Sequence, residues 1–246
     1  MSHGRRFICD NDLQSPPWIL TPPDARHALK VLRLKAGDIV TLMDGRGGTR
    51  KAAIEVLPHG RVSAHPAGPV LQALPPSVRL HLFVAAPHPG VMDEIITHAV
   101  ELAAWKILTA PGEHSQSTFS VLERRLPRWR LLVRSACKQS GNPFFPELTV
   151  MRSFIEAVEA LPRAGFHFAQ QAPPLPPSSP IGAGDIALAV GPEGDFSPEE
   201  RQILVRRGLR PAGLGPYTLR VDTAALSALA HFGPAMLRAG RPDISD

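Results

Sequence analysis

The sequence has few residues of the kinds that build disulfide or metal frameworks. Its 246 residues include two cysteines, which lie far apart at Cys9 and Cys137. Two distant cysteines give neither a disulfide framework nor the close spacing of a zinc site. The ten histidines form no HExxH pattern, the helical zinc signature of metalloproteases. We therefore expect no structural metal.

Long hydrophobic runs are also absent. No apolar stretch approaches the roughly 20 residues that a membrane-spanning helix needs. Near the start of the chain, Arg5 and Arg6 are followed by only a short apolar stretch before Asp10. This pattern does not fit a signal peptide. The sequence thus predicts a cytoplasmic protein with no membrane partner.

The charge balance is moderately basic. Lys and Arg number 27 against 22 Asp and Glu, for a formal net charge of +5. Such a surplus favours an anionic partner, but many basic proteins never bind nucleic acid. Charge alone therefore leaves RNA or DNA binding open.

The first seventy residues predict a small β-rich domain. Asp24 is a candidate N-cap for one short helix over 25–34. Short strands around a single helix suggest a small barrel. The stretch 67–77 is rich in proline, which marks a boundary between a domain of residues 1–70 and one of residues 76–246. The expected strands of the first domain are 5–9, 38–43, 51–57 and 61–65.

The remaining chain alternates strands with helices, which predicts an α/β domain with a mostly parallel sheet. Residues 171–180 are half proline. They are either a stiff surface loop, the favoured interpretation, or a ligand for a proline-binding partner. We expect helices at 92–104, 128–139 (with Pro127 near its first turn), 154–161, 198–207 and 223–238. We expect strands at 78–86, 106–110, 147–150, 166–170, 186–190 and 211–214.

One expected strand, 186–190, ends abruptly at Gly191-Pro192-Glu193-Gly194. In open parallel sheets, ligands bind beyond the carboxyl ends of strands. Glycines let a ligand approach the backbone, and proline holds the turn rigid. Taken alone, the motif fits a plain strand–turn–helix connection equally well. It matches neither a P-loop nor a GxSxG nucleophile elbow.

A second glycine-bearing loop, LGPYTLRVDTA at 214–224, follows the next expected strand and opens the last helix. With GPEGDFS at 191–197, HALKVLR at 27–33 and KQSG at 138–141, it resembles the SPOUT superfamily of S-adenosylmethionine-dependent RNA methyltransferases. Within that superfamily the sequence is most similar to the RsmE type, which methylates N3 of a uridine in small-subunit ribosomal RNA. The resemblance runs through the whole chain.

The resemblance implies a C-terminal α/β domain with a deep trefoil knot, and an N-terminal PUA-like, RNA-binding β-barrel. It implies S-adenosyl-L-methionine as cofactor, ribosomal RNA or the small ribosomal subunit as partner, and a homodimer. An apolar last helix is consistent with a dimer surface or with packing inside one subunit. The implied cofactor-binding residues are Gly191, Pro192, Glu193, Gly194, Leu214, Gly215, Tyr217 and Leu219. The RNA-binding candidates are Arg26, Arg33, Arg130, Arg134 and Lys138.

Two residues of the second loop are the catalytic candidates. Methylation of N3 requires loss of its proton, and the resulting charge on O2 and O4 must be stabilised. Arg220 either faces this charge or forms a structural ion pair. Asp222 either orients Arg220, acts as the base, or caps the final helix. On the helix over 128–139, the spacing of Arg130, Arg134 and Lys138 places them on one face, which is either an RNA-binding stripe or a solvated surface.

The chain departs from the family at polar positions. Tyr217 stands where the family usually has Arg, Asp195 replaces Gly, Lys138 replaces Glu, and Asn142 replaces Arg. These changes leave two alternatives to uridine-N3 methylation. One is methylation of a different RNA target, and the other is RNA binding without catalysis.

Overall fold

The structure is a computed structural model that describes residues 5–175 and 184–238. Its chain divides into two compact units at Pro75 and Pro76. The first unit also contains residues 134–145, an excursion that the sequence does not indicate. Parts of the expected domains and of the proline-rich stretch, namely 1–4, 176–183 and 239–246, lie outside the described residues.

The first unit is built on a five-stranded sheet in the order β1-β3-β4-β5-β2. Strand β1 runs parallel to β3, and the other pairs are antiparallel. Phe7, Trp18, Leu42 and Val62 are each at most 2% exposed and form part of its core. The strands are β1 (Arg6–Ile8), β2 (Trp18–Ile19), β3 (Ile39–Met43), β4 (Gly48–Val56) and β5 (Val62–Gln72).

The helix of this unit begins earlier than expected. Helix α1 covers Pro22–Arg26 and continues as a π-helical turn over His27–Val31. Thr21, and not Asp24, is the N-cap, because its hydroxyl accepts a hydrogen bond from the Asp24 amide. Pro22 is tolerated here because the first helical turn has no intrahelical partner for its missing N–H.

Strand β5 is longer than the expected 61–65. Its prolines are tolerated because they lie where β5 has no hydrogen bonds to β2. The strand β2 pairs with it only at Ser63 and Ala64. Pro66 and Pro69 lie beyond this pairing, where a missing N–H removes no ladder bond to β2. The strand therefore runs on to Gln72, and the domain boundary falls a few residues later.

The second unit is an α/β fold around a six-stranded sheet in the order β11-β9-β10-β6-β7-β8, in which every pair is parallel. This confirms the parallel sheet expected from the alternation of elements. Its strands are β6 (Val78–Ala85), β7 (Ala104–Ala110), β8 (Glu147–Val150), β9 (Gly165–Phe168), β10 (Gly184–Val190) and β11 (Leu209–Ala212). Its helices are α2 (Pro89–Glu101), α3 (Phe119–Ser140), α4 (Phe154–Glu159), α5 (Pro198–Arg207) and α6 (Val221–Arg238), with the last turns of α3 assigned to the first unit.

Both faces of this sheet are covered by aromatic packing. On one face Phe83, Phe154 and Phe196 meet with ring centroids 5.6–6.4 Å apart. Elsewhere Phe166 of β9 stacks on Phe232 of α6, at 5.9 Å. A sheet buried on both faces explains why β6 and β10 are apolar along most of their length.

Helix α3 is nearly twice as long as expected and has Pro127 in its interior. Proline removes one backbone hydrogen bond and usually ends or kinks a helix. Here an apolar stripe continues past it, since Leu122, Trp129 and Val133 are all buried. The Trp129 indole N–H also donates to Asp93 on α2, at 2.6 Å. Tertiary packing therefore holds the helix together across the proline.

Neither a membrane span nor a metal cluster is found in residues 5–175 and 184–238. No helix there is both long and apolar enough to cross a bilayer. Within the same residues, no three His, Cys, Asp or Glu side chains are grouped to hold a metal ion.

Candidate functional site

A cavity of about 680 Å³ lies where β9, β10 and β11 end. These strands are parallel neighbours, so their carboxyl ends meet at one edge of the sheet. The volume falls in the range of roughly 300–1,000 Å³ that is usual for small-molecule sites. The structure brings all ten predicted cofactor and catalytic residues to its lining: Gly191, Pro192, Glu193, Gly194, Leu214, Gly215, Tyr217, Leu219, Arg220 and Asp222.

Packing within the protein explains the glycines of the first loop, 191–194. A Cβ on Gly191 would lie 2.9 Å from the Phe196 amide nitrogen, because the loop folds back on itself. A Cβ on Gly194 would lie 2.8 Å from the Cβ of His114. Real Cβ contacts are not this short, so glycine is required for the shape of the loop. In the second loop, a Cβ on Gly215 would meet nothing within 4 Å, so the backbone there is open to a ligand.

Asp195 closes the first loop in a left-handed backbone conformation, with φ of 62°. Asp and Asn tolerate this region better than most residues do. The carboxylate is held on both sides, since Oδ1 accepts from the Phe196 amide at 2.6 Å and Oδ2 pairs with Arg201 at 2.9 Å. Asp195 therefore fits a position where the family has glycine.

A second layer of side chains supports this loop from outside the cavity. The buried Glu200 carboxylate accepts from the Ser197 amide and from the Glu113 amide, each at 2.9 Å. His114 lies against Gly194 and its ring Nδ1 is 3.1 Å from the Asp195 carbonyl oxygen. The connection after β7 thus braces the connection after β10. Sequence reasoning missed this contact, because no local pattern indicates that the two loops meet.

His167 is buried beneath the same region, on β9, with 2% exposure. Neither ring nitrogen has a hydrogen-bond partner among the described residues. Burial lowers the pKa of His167, and the charge of Arg201 lowers it further, although Asp195 opposes this. The imidazole is therefore neutral at physiological pH.

The second loop presents mainly exposed side chains to the cavity mouth. Tyr217 is 80% exposed. The Thr218 hydroxyl donates to the Gln170 side-chain oxygen at 2.9 Å, which ties this loop to the end of β9. Gln170 also lines the cavity, together with Phe168 and Ala169. Sequence reasoning did not assign these three residues to the site, since it could not place β9 between β10 and β11.

The two catalytic candidates do not pair with each other. Arg220 is exposed, and within the part of the chain described here its guanidinium has no hydrogen-bond or ion-pair partner. The structural ion pair considered from the sequence is thus not found among residues 5–175 and 184–238. Asp222 lies in the first turn of α6, which begins at Val221, so it is not the cap. One of its oxygens accepts from the Thr223 amide at 2.8 Å.

The RNA-binding candidates fall into two groups. Arg26, Arg33 and Arg130 are exposed. Arg134 instead forms a two-bond ion pair with Asp10, at 2.8 and 2.9 Å. Lys138 pairs with Asp24 at 2.8 Å, and the Asp24 side chain is only 13% exposed. Only Arg130 of the expected stripe is a solvated cation, because the other two are engaged within the first unit.

Two protein families match this chain. The RNA methyltransferase domain family matches residues 74–233. The RNA methyltransferase PUA domain family matches residues 20–66. The first match covers more than half of the sequence and includes every residue that lines the cavity.

Curated relatives and solved structures agree with these matches. The chain is 28% identical to ribosomal RNA small subunit methyltransferase E of Synechocystis sp., over 86% of this chain and 71% of the relative. The same protein of Mycobacterium bovis is 28% identical, over 84% and 82%. A methyltransferase of Legionella pneumophila in complex with SAM superposes with a TM-score of 0.85 at 26% identity, covering 94% of this chain and 98% of that one. Ribosomal RNA small subunit methyltransferase E of Neisseria gonorrhoeae, bound to S-adenosyl methionine, gives 0.82 at 27%, over 95% and 98%. With both glycine-bearing loops meeting at one cavity, the chain belongs to the RNA methyltransferase domain family.

Proposed function

We propose that this protein transfers a methyl group from S-adenosyl-L-methionine to N3 of a uridine in small-subunit ribosomal RNA. The observation that carries the proposal is the meeting of the two glycine-bearing loops at one cavity. Arg220 also lines this cavity and has no ion-pair partner among the described residues. The curated relatives are named as small-subunit ribosomal RNA methyltransferases, which supports the substrate class.

The cavity fits the cofactor in size and in charge. Backbone groups at Gly215 are open, as close approach of a ligand requires. In the described part of the lining, Asp195 is neutralised by Arg201, while Glu193 and Asp222 have no ion-pair partner and Arg220 is the one cation. That balance suits a sulfonium ion, which supplies an electrophilic methyl group when the cofactor is bound. The remaining catalytic work is positioning and charge stabilisation by the protein.

Arg220 and Asp222 have the groups that the acceptor base requires. The Arg220 guanidinium, which has no partner among residues 5–175 and 184–238, is available to bond the anionic O2 or O4 of a deprotonated uracil. Of the three carboxylates in the lining, Asp195 is held by Arg201, and Glu193 accepts from the His88 amide at 3.3 Å. Glu193 and Asp222 each keep one carboxylate oxygen without a hydrogen bond among the described residues. Asp222 lies two residues after Arg220 in the sequence, so we assign it the N3 proton.

Exposed cations are the proposed contacts to the RNA backbone. Arg26 and Arg33 flank the π-helical turn, and Arg130 lies on α3. Phosphate contacts of this kind position the RNA without reading its sequence. Arg134 and Lys138 contribute positive charge, but their ion pairs with Asp10 and Asp24 limit direct bonding to phosphate.

The fold and assembly are proposed in finer detail from the same family resemblance. The first unit is a PUA-like barrel, and the last third of the second unit is threaded as a trefoil knot. The strand order supports the knot, because the chain leaves β10 through α5 and returns as β11 on the far side of β9. The protein acts as a homodimer in the cytoplasm, where its ribosomal substrate resides.

A different RNA target is the second candidate function. Tyr217 and Asn142 replace arginines of the family, so contacts to the substrate differ even though the cofactor loops are kept. Methylation of another nucleotide, or of a ribose hydroxyl, is the form this alternative takes. RNA binding without catalysis is disfavoured by the intact cavity.

Nucleoside mass spectrometry of ribosomal RNA tests the proposal. A strain that lacks this gene should have lost 3-methyluridine from its small-subunit RNA, and purified protein with S-adenosyl-L-methionine should restore it to isolated small subunits. Loss of a different methylated nucleoside would establish the alternative target. An unchanged nucleoside profile would refute both.

A further inference from the structure

Tyr217 is an exposed aromatic ring at the mouth of the cavity. It is the only tyrosine in the sequence. Phe168 is the other aromatic residue that lines the cavity, and it is 6% exposed and packed into the fold. At 80% exposure, the Tyr217 ring has most of its surface open to solvent. Among the described residues its hydroxyl has no hydrogen-bond partner either, so no polar contact accounts for its position.

A second candidate group for ligand recognition, Arg220, lies on the same loop. Arg220 follows three residues later, lines the same cavity, and is the one cation recorded in the described lining. The loop thus presents an exposed ring together with a guanidinium that has no partner in the described part of the chain. An apolar protein surface covering both would bury the charge without a partner, which is costly. A nucleobase satisfies both, because it offers a flat face to the ring and carbonyl oxygens to the guanidinium.

We propose that Tyr217 is the stacking platform for the acceptor base and is not a contact of the cofactor. A base that undergoes chemistry must leave its stack, and an aromatic side chain replaces part of the lost stacking. Tyr217 holds the face of the base while Arg220 bonds its carbonyl edge, which directs N3 towards the cavity. The proposal rests on the proposed function for its substrate class, RNA. It gives Tyr217 a role in positioning the base, whereas the resemblance of the sequence implied cofactor binding.

The experiment removes the ring and the base independently. Wild type, Tyr217→Ala and Tyr217→Phe are each loaded with S-adenosylhomocysteine. Each is then titrated with a short oligouridylate and with an abasic oligomer of equal length. Val205→Ala is the control, since Val205 is an exposed apolar residue of α5 away from the cavity. Calorimetry of S-adenosylhomocysteine and light scattering are run on every variant.

Stacking predicts a loss that depends on both the ring and the base. Tyr217→Ala should bind oligouridylate about 5- to 100-fold more weakly, while Tyr217→Phe and Val205→Ala stay within about twofold of wild type. Affinity for the abasic oligomer and for S-adenosylhomocysteine should be equal in all four proteins. With small subunits as substrate, Tyr217→Ala should raise KM more than it lowers kcat.

Three results would overturn the proposal that Tyr217 is the stacking platform. The first is equal affinity of wild type and Tyr217→Ala for oligouridylate, or no binding by either protein. In both cases the Tyr217 ring would not bind a base. A parallel fall in S-adenosylhomocysteine affinity would return Tyr217 to the cofactor site. A change in molecular mass would show that a second copy of the chain covers the ring. Failure of the proposed function is distinct, because it would leave the ring-dependent binding of oligouridylate in place without 3-methyluridine as product.

Discussion

At the scale of single residues, the charged side chains around the cavity are of two kinds. Some are fixed by partners within the protein, and others are available to a ligand. Asp195 is fixed by Arg201 and by the Phe196 amide, so its charge serves the shape of the loop. Arg220 has no such partner in the described chain, so its charge is available to a ligand. This division decides which substitutions should affect stability and which should affect turnover.

Replacement of Arg220 should reduce catalysis without unfolding the protein. Arg220→Ala removes one preorganised donor, for which losses on the order of a hundredfold or more in kcat are typical. Arg220→Lys should restore only part of the rate, because an ammonium cannot contact two carbonyl directions as a planar fork does. Methyl transfer to small subunits, calorimetry of the cofactor and thermal melting are measured for each variant.

Arg206→Ala is the matched control for Arg220, since Arg206 is an exposed arginine on α5. Its rate and melting temperature should equal those of wild type. A fully active Arg220→Ala protein would exclude Arg220 from catalysis. A joint fall in melting temperature and rate would indicate a structural role.

Acid should destabilise the protein partly through His167. Burial lowers the pKa of His167 in the folded state, whereas the unfolded chain has the ordinary value of about 6.5. The unfolded state therefore binds a proton first as pH falls, so the free energy of unfolding decreases below about pH 6.5 and continues to fall until the folded pKa is passed. His167→Leu should show a shallower decline in denaturant titrations between pH 7 and pH 5.

The exposed His59 provides a comparison, because His59→Asn should keep the wild-type pH dependence. Asn tolerates the positive φ of 60° at this site. An equally steep decline in His167→Leu would show that other groups, such as the half-buried His81, carry the acid dependence.

At the scale of secondary-structure elements, α5 connects the chemistry of the site to the fold. Ser197 caps the helix and Glu200 completes a capping box, with both reciprocal hydrogen bonds present. The second carboxylate oxygen of Glu200 holds the Glu113 amide of the connection after β7. One side chain therefore fixes the start of a helix and the brace behind the cavity.

Replacement of Glu200 should weaken both the fold and the cofactor site. Glu200→Ala removes two hydrogen bonds to a buried carboxylate, which corresponds to about 3 kcal/mol of unfolding free energy. Affinity for S-adenosylhomocysteine should fall as well, because loop 191–194 loses its support. Glu199→Ala, at the exposed neighbouring position in the same first turn, should have little effect on either quantity. Unchanged cofactor affinity in Glu200→Ala would show that the brace does not shape the site.

The elements differ in how well local sequence predicts them. The bounds expected for α5 and β8 agree with the structure, because a capping box and a short alternation of polar and apolar residues are local signals. The predicted start of α3 and the predicted end of β5 were wrong. In both cases a proline was interpreted as a break. In α3 the packing of Leu122 and Trp129 makes the proline tolerable, and in β5 the prolines lie beyond the residues that pair with β2. Propensity is a weak guide where tertiary contacts decide.

How well each part of the site could be predicted also depends on whether its residues are close together in the sequence. Both glycine-bearing loops were recognisable, since each is a contiguous motif after an apolar strand. Gln170, His114 and Glu113 were not, because their roles depend on which strands are neighbours in the sheet. The glycine at Gly191 has a packing reason that the sequence did not indicate, since the loop closes on Phe196 there.

At the scale of the whole molecule, the last helix bears on assembly. The buried residues Ala225, Ala228 and Leu229 of α6 pack within their own subunit, where α6 contacts α2, β6 and β10. Much of the apolar character that suggested a dimer surface is thus used internally. Ala230 remains exposed on this helix.

We expect a homodimer in light scattering, with twice the chain mass of 26.6 kDa at micromolar concentration. Ala230→Arg should shift the mass towards the monomer, because a charged side chain in a closely packed interface is unfavourable. Val205→Arg places the same charge on exposed α5 and should leave the mass unchanged. A monomeric wild type would refute the dimer, and a dimeric Ala230→Arg would place the interface elsewhere.

The discontinuity of the first unit has a consequence for the order of folding during translation. Asp10 and Asp24 find Arg134 and Lys138 more than a hundred residues later in the chain. At roughly 5–20 residues per second of synthesis, the N-terminal sheet waits several seconds before these partners emerge from the ribosome. A fragment that ends at the boundary near residue 75 would leave both carboxylates without these partners. The nascent first unit therefore completes its ion pairs only after much of the second has been made.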